Sequence, residues 1–134
     1  KTVIFACVHS AGRSQMAAAF LNAIADGSRA RGISAGTQPA ARVHPEVVAV
    51  MKEAGFDVSG AIPRLLTPEL AREAALLVTM GCGDACPVVP GLPRDDWPLQ
   101  DPKGRPLEEV RRIRDQIRDR VAALVSAEGW HRPG

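Results

Sequence analysis

No apolar run in this chain approaches the length of about 20 residues needed to cross a bilayer, so nothing in it reads as a membrane span. Its opening, KTVIFACVHS, carries too short an apolar stretch for a secretory signal, and the expected compartment is the cytoplasm. No excess of one charge sign exists: 17 Lys and Arg stand against 15 Asp and Glu, a net charge of +2. That balance gives no footprint for nucleic acid or a membrane surface. Only three cysteines occur, Cys7, Cys82 and Cys86. An odd number in a chain of cytoplasmic character argues against a static disulfide framework and favours catalytic, redox or metal-binding thiols. There is no internal repeat and no second domain. With 134 residues, 46% of them hydrophobic, the chain is long enough for one packed domain around a single core, expected over 1–134 with 128–134 as a tail. Tyrosine is missing altogether.

What is present centres on Thr2 to Ser14, TVIFACVHSAGRS. An apolar run, Val3 to Ala6, leads into Cys7, and helix formers follow Ser14, so the pattern is strand, tight loop, helix. A loop that enters a helix N-terminus turns backbone N–H groups inward and makes an anion site. The candidate oxyanion-binding residues are therefore Val8, His9, Ser10, Ala11, Gly12, Arg13 and Ser14. Gly12 lets the backbone close tightly, and the planar guanidinium of Arg13 suits a tetrahedral oxyanion. A thiol in the same positive field is favoured as thiolate. Ser14 either bonds the sulfur or caps the helix. A bare C-x5-R spacing fits equally a buried strand-end cysteine and an ordinary surface arginine; the flanking strand, Gly-Arg-Ser exit and helix favour the chemical reading.

Along the rest of the chain, periodicity predicts a helix over 14–26, a strand over 29–35 and a helix over 46–54 introduced by His44-Pro45 and closed by Gly55. A short helix is expected from Thr67, its N-cap, to about Glu73. Residues 74–80 read as a buried central strand, Asp96 to Leu99 as a short edge strand, and 106–127 as a long amphipathic helix whose apolar face starts at Leu107. This order implies an α/β fold, a parallel sheet with helices on both faces, in which ligands bind at the carboxyl ends of the strands.

Cys82 and Cys86 lie in GCGDAC, directly after the proposed central strand. Three readings stand beside one another: structural thiols, metal ligands together with Cys7 or His9, and a redox relay in which one thiol attacks a species bound on Cys7 and the other resolves the disulfide. Gly81, Gly83 and Gly91 give this segment freedom to rearrange between reduced and oxidised states. Asp101, in LQDPKG, is either a turn residue or a carboxylic acid held by Pro102 to give a proton to a leaving oxygen.

CVHSAGRSQMAAAF resembles the phosphate loop of the low-molecular-weight protein tyrosine phosphatases, and most closely their arsenate-reductase branch. SAGT at 34–37, TPE at 67–69 and the Asp-Pro ahead of the last helix are similar too, and TMGCGDACP resembles the redox segment of thioredoxin-coupled arsenate reductases. The resemblance implies a four-stranded parallel sheet of flavodoxin-like type. It implies reduction of arsenate to arsenite: Cys7 attacks arsenic, Arg13 and loop amides hold the oxyanion, Asp101 protonates the leaving oxygen, and Cys82 and Cys86 carry the oxidation to thioredoxin, with no bound cofactor. Phosphate and sulfate would compete in the loop. A small aryl or tyrosine phosphatase using only Cys7, Arg13 and Asp101 is the second reading, and a thiol-based metal or arsenite binder the third. Three departures matter. Ser10 stands where the family often has Asn. Ala18 replaces a Glu that some relatives associate with potassium, so no potassium is expected. Lys103 and Gly104 follow Asp-Pro where phosphatases place tyrosines, which disfavours phosphotyrosine.

Overall fold

The computed structural model describes residues 1–81 and 90–132. Cys82 and Cys86 lie outside the described residues. The elements run β1 (Thr2–Cys7), α1 (Arg13–Ile24), β2 (Arg31–Gly36), α2 (Pro45–Glu53), α3 (Pro68–Arg72), β3 (Leu76–Thr79), β4 (Arg94–Asp96) and α4 (Leu107–Glu128). The four strands form one sheet in the order β2-β1-β3-β4, and every pairing is parallel. Strand order therefore reverses between β1 and β3. A crevice opens outside the carboxyl ends of strands at such a switch point, and the residue β1 delivers there is Cys7.

The two-residue period of β1 divides the core. Val3, Phe5 and Cys7 join the large cluster that α1, α2 and α4 cover, with Met16, Phe20, Val47, Met51, Ile113, Ile117 and Val121. Ile4 and Ala6 face a smaller cluster with Ala35, Leu66 and Leu77, backed by Leu70 of α3. Helices thus lie on both faces, as the element order requires. Thr67 caps α3 as expected, its hydroxyl accepting from Leu70 N–H at 3.1 Å.

Several boundaries move, each for a local reason. α1 stops at Ile24 because Ala25 is extended and bridges His131. β2 begins at Arg31, since Arg29 N–H is bound to Asp26 in a turn. The edge strand β4 occupies 94–96 instead of 96–99. Trp97 N–H still reaches Thr79 carbonyl, but Pro98 has no N–H to extend the ladder. Leu107 is 41% exposed and does not join the buried face of α4. Within the expected tail, residues 129–131 are anchored: Gly129, at φ +70°, turns the chain out of α4. Trp130 is then buried in the large cluster, and its carbonyl accepts from Asp26 N–H.

Candidate active site

Between β1 and α1 the backbone turns its carbonyls outward, and each finds a donor. Gln38 N–H reaches Val8 O at 2.8 Å, Ala40 N–H reaches His9 O at 2.9 Å and His44 N–H reaches Ala11 O at 2.9 Å. Gln15 Nε2 donates to Ser10 O at 2.9 Å, and Met16 N–H to Gly12 O at 3.1 Å. With carbonyls 8–12 committed outward, the loop amides and the first N–H groups of α1 are left to meet an anion. α1 starts at Arg13 with Gly12 as its N-cap and no side-chain cap, which leaves that end of the helix open.

Two residues hold the loop shut. Gly36, at the carboxyl end of β2, presses on it so closely that an added Cβ would lie 2.5 Å from Val8 O, 2.6 Å from Cys7 O and 2.8 Å from Ser10 N. Ser10 has φ +52°, a left-handed conformation unusual for a residue with a side chain. Its hydroxyl holds it there, bonded to Ser34 Oγ at 2.7 Å and accepting Arg64 N–H at 3.2 Å. Serine therefore supplies at this position a local hydrogen-bonding anchor of the kind expected from asparagine.

The same hydroxyls continue to the thiol. Ser34 Oγ lies 2.6 Å from Ser14 Oγ, and Ser14 Oγ lies 2.8 Å from Cys7 Sγ. Ser14 therefore bonds the sulfur and does not cap the helix. Ser10 and Ser14 are fully buried and Ser34 nearly so, so the direction of this chain is constrained. Run from Arg64 N–H through Ser10, Ser34 and Ser14 to Cys7, every hydroxyl proton has an acceptor and the sulfur accepts from Ser14. Run the other way, the proton of Ser10 has no acceptor among the described residues, a costly state for a buried donor.

Arg13 is buried to 7% exposure, not the surface residue its bare spacing allows. Its Nη1 donates to Leu99 carbonyl at 2.8 Å. Its Nε is buried without a hydrogen-bond partner among the described residues. A buried guanidinium N–H with no protein acceptor is a standing demand for an anionic one.

Pro102 is buried and seated on the loop: a Cβ added to Gly12 would lie 3.1 Å from Pro102 Cγ and 3.5 Å from His44 Cδ2. The Asp-Pro turn is tied to the start of α2 by Gly104 N–H, which donates to Glu46 Oε1 at 3.2 Å. Asp101 itself is exposed. Its carboxylate accepts Lys103 N–H at 3.0 Å, and its carbonyl accepts Arg105 Nε at 2.7 Å. The turn is thus beside the anion loop, with the acid on its outer, solvated side. His9 and His44 meet edge to face at the rim, ring centroids 6.1 Å apart. Burial pushes the His44 imidazole below the usual histidine range, opposed by the nearby carboxylates of Glu46 and Asp101.

The structure thus brings Cys7, Val8 to Ser14 and the Asp101–Pro102 turn to one end of the sheet. Ser34, Arg64 N–H and Leu99 carbonyl belong to the same arrangement and were not among the expected site residues. Of these only Ser34 left a trace in the sequence, a hydroxyl inside the otherwise apolar run Ile33 to Ala35.

A phosphate-loop cysteine and arginine on a four-stranded parallel sheet define a class, and residues 2–129 match the model of the low molecular weight phosphotyrosine protein phosphatases. The chain belongs to that family. It is 41% identical over 128 residues to a putative arsenate reductase of Halobacterium salinarum, covering 90% of this chain and 87% of that one. Among solved structures it is similar to a thioredoxin-dependent arsenate reductase of Corynebacterium glutamicum, with TM-score 0.78 and 39% identity. That match covers 94% of this chain, which spans 60% of the Corynebacterium chain. It also superposes on an arsenate reductase in its phosphate-binding state, with TM-score 0.79, 33% identity and coverage of 95% and 98%.

Proposed function

We propose that this chain reduces arsenate to arsenite by a thiol relay completed by thioredoxin. The observation that carries the reading is the setting of Cys7. It ends a buried hydroxyl chain that offers its sulfur a proton donor, inside a loop whose carbonyls 8–12 are all engaged by other donors. The relatives named as arsenate reductases, one of them thioredoxin-dependent, supply the substrate and the reductant.

The chemistry follows in balanced steps. Arsenate enters the loop, its oxygens taken by the loop amides and by Arg13 Nε. The Cys7 thiolate attacks arsenic, and an arsenate oxygen leaves as water after Asp101 gives it a proton. Arsenic is still As(V) in the thioester so formed. Cys82, as thiolate, attacks Cys7 Sγ; the S–S bond forms, the As–S bond breaks, and its electron pair stays on arsenic, which departs as arsenite. Cys86 then attacks Cys82 Sγ and releases Cys7 as thiolate. The Cys82–Cys86 disulfide is reduced by thioredoxin, which supplies the two electrons of the cycle. Hydrolysis of aryl phosphates shares the first attack and is the second reading, supported by family membership; it needs neither Cys82 nor Cys86.

Arsenate-dependent NADPH oxidation with thioredoxin and its reductase, run beside a glutathione–glutaredoxin system, tests the proposal. Turnover is expected with thioredoxin. Cys82→Ser should abolish it and leave aryl phosphate hydrolysis in place. Loss of both activities in a folded Cys82→Ser protein would contradict this division of labour.

A further inference from the structure

Of the positive-φ glycines among the described residues, four, Gly55, Gly91, Gly104 and Gly129, have nothing within 4 Å of the position a Cβ would take. Gly81 is different. At φ +93° its missing Cβ would overlap Arg13 Nη1, and would lie 3.1 Å from Leu99 O and 3.5 Å from Arg13 Cζ. The guanidinium of Arg13 therefore lies against the bare α-carbon of Gly81, with Nη1 held by the Leu99 carbonyl on the adjoining side. Gly81 follows Thr79 and Met80 out of β3, and β3 is the neighbour of β1. The wall behind the arginine is thus built by the strand next to the one that carries Cys7.

We propose that Gly81 is a positioning residue for oxyanion binding: the absence of a side chain there lets Arg13 lie flat with Nη1 on Leu99 and Nε left for the substrate. This rests on the reading of Arg13 as an oxyanion ligand. A Cβ at 81 would push Nη1 off its carbonyl and swing the planar fork, and a bidentate interaction fails when its plane turns. Glycine at 81 does two jobs at once, since its φ favours glycine in any case. The two are separable. Asparagine tolerates the left-handed region better than other residues with a Cβ, so Gly81→Asn restores the Cβ with the least backbone strain.

The test is protection of Cys7 from iodoacetamide by inorganic phosphate, using the full-length reduced protein and peptide mass mapping. Without phosphate, Gly81→Asn should still alkylate at Cys7, because the Ser10–Ser34–Ser14 chain is untouched. The phosphate concentration for half-protection should rise at least about tenfold. Gly55→Asn, with the same class of φ and open space around it, should protect as wild type does. Unchanged half-protection in Gly81→Asn would overturn the proposal. So would a parallel collapse of Cys7 reactivity, which would mean that position 81 maintains the loop in general and not the arginine. If phosphate fails to protect the wild-type protein, the oxyanion reading of Arg13 falls first.

Discussion

The two loops that meet at the site are built on opposite plans. Residues 7–14 are almost wholly buried, the backbone carbonyls 8–12 all have donors, and three serine hydroxyls connect the loop to β2 and to the thiol. Residues 101–105 are exposed apart from Pro102, and they are held by a turn, one arginine and one bond to Glu46. The first plan suits groups that must be in place before substrate arrives, since donors fixed in advance need no reorganisation as charge moves. The second suits a proton donor, which must meet water to be recharged after each turnover. Cys7 and the loop around it belong to the buried core, while Asp101 sits in an exposed turn whose one buried residue is the proline beside it.

That contrast can be broken from either side. The largest effect is expected at the buried guanidinium: Arg13→Lys keeps the charge but loses the planar fork, and should lower kcat/KM for arsenate about a thousandfold. Steady-state kinetics on a variant with wild-type melting behaviour checks it; a loss below tenfold would show that the fork is not used. On the proposed mechanism, in which Asp101 protonates the leaving oxygen and takes no part in binding, Asp101→Asn should lower kcat about a hundredfold and leave phosphate protection of Cys7 unchanged. A rise in KM with unaltered kcat would place Asp101 in binding instead.

Ser34→Ala tests the link between the strand and the loop. It removes the middle of the hydroxyl chain and leaves Ser10 and Ser14 each short of a buried partner. About tenfold slower turnover is expected, with alkylation of Cys7 slowed in parallel. Ser34→Thr, which keeps the hydroxyl, should restore the rate; an alkylation rate unchanged in Ser34→Ala would detach the chain from the thiol.

Two smaller effects concern stability and pH. Trp130→Ala should cost about 3 kcal/mol, as for a buried aromatic, measured by urea unfolding; a cost near zero would return 128–132 to the status of a tail. Glu53 is held below the usual carboxylate range first by its hydrogen bond from Arg111, with further help from Arg114. Below its ordinary pKa of 4.5 the unfolded chain takes up the proton more readily than the folded one. Stability from this group is therefore present above that pH and lost as pH falls through the lowered folded value. Burial depresses His44 in the same sense, so it too favours the folded state above about pH 6.5 and less so below. The acid limb of a Tm–pH curve should flatten slightly in Glu53→Gln; an unchanged limb would remove Glu53 from it.

Much of this was legible in the residues. Cys7, Gly12 and Arg13 announced themselves because a strand, a glycine and a helix start flank them, and all are local in sequence. The parallel order followed from alternation of elements. What escaped depends on long-range contact. Ser34 reads as one polar residue near a strand end until the register pairs Phe5 with it and Cys7 with Gly36. Gly81 reads as flexibility, and only the packed guanidinium shows that its missing side chain matters. Trp130 follows a helix-ending glycine and looks like a frayed end, yet a large aromatic there is costly to leave in water. The exposed carboxylate of Asp101 could not be read from Asp-Pro, because the dipeptide fixes the turn and not the direction in which the acid faces.

The decisive measurement is the rate of Cys7 alkylation by iodoacetamide, followed by peptide mass in the reduced wild-type protein, with and without phosphate. A sulfur that accepts from Ser14 inside an open anion loop should react at a rate that phosphate suppresses as it fills the loop. Alkylation of Cys7 at the same rate with and without phosphate would show that the anion loop does not hold an oxyanion beside the thiol.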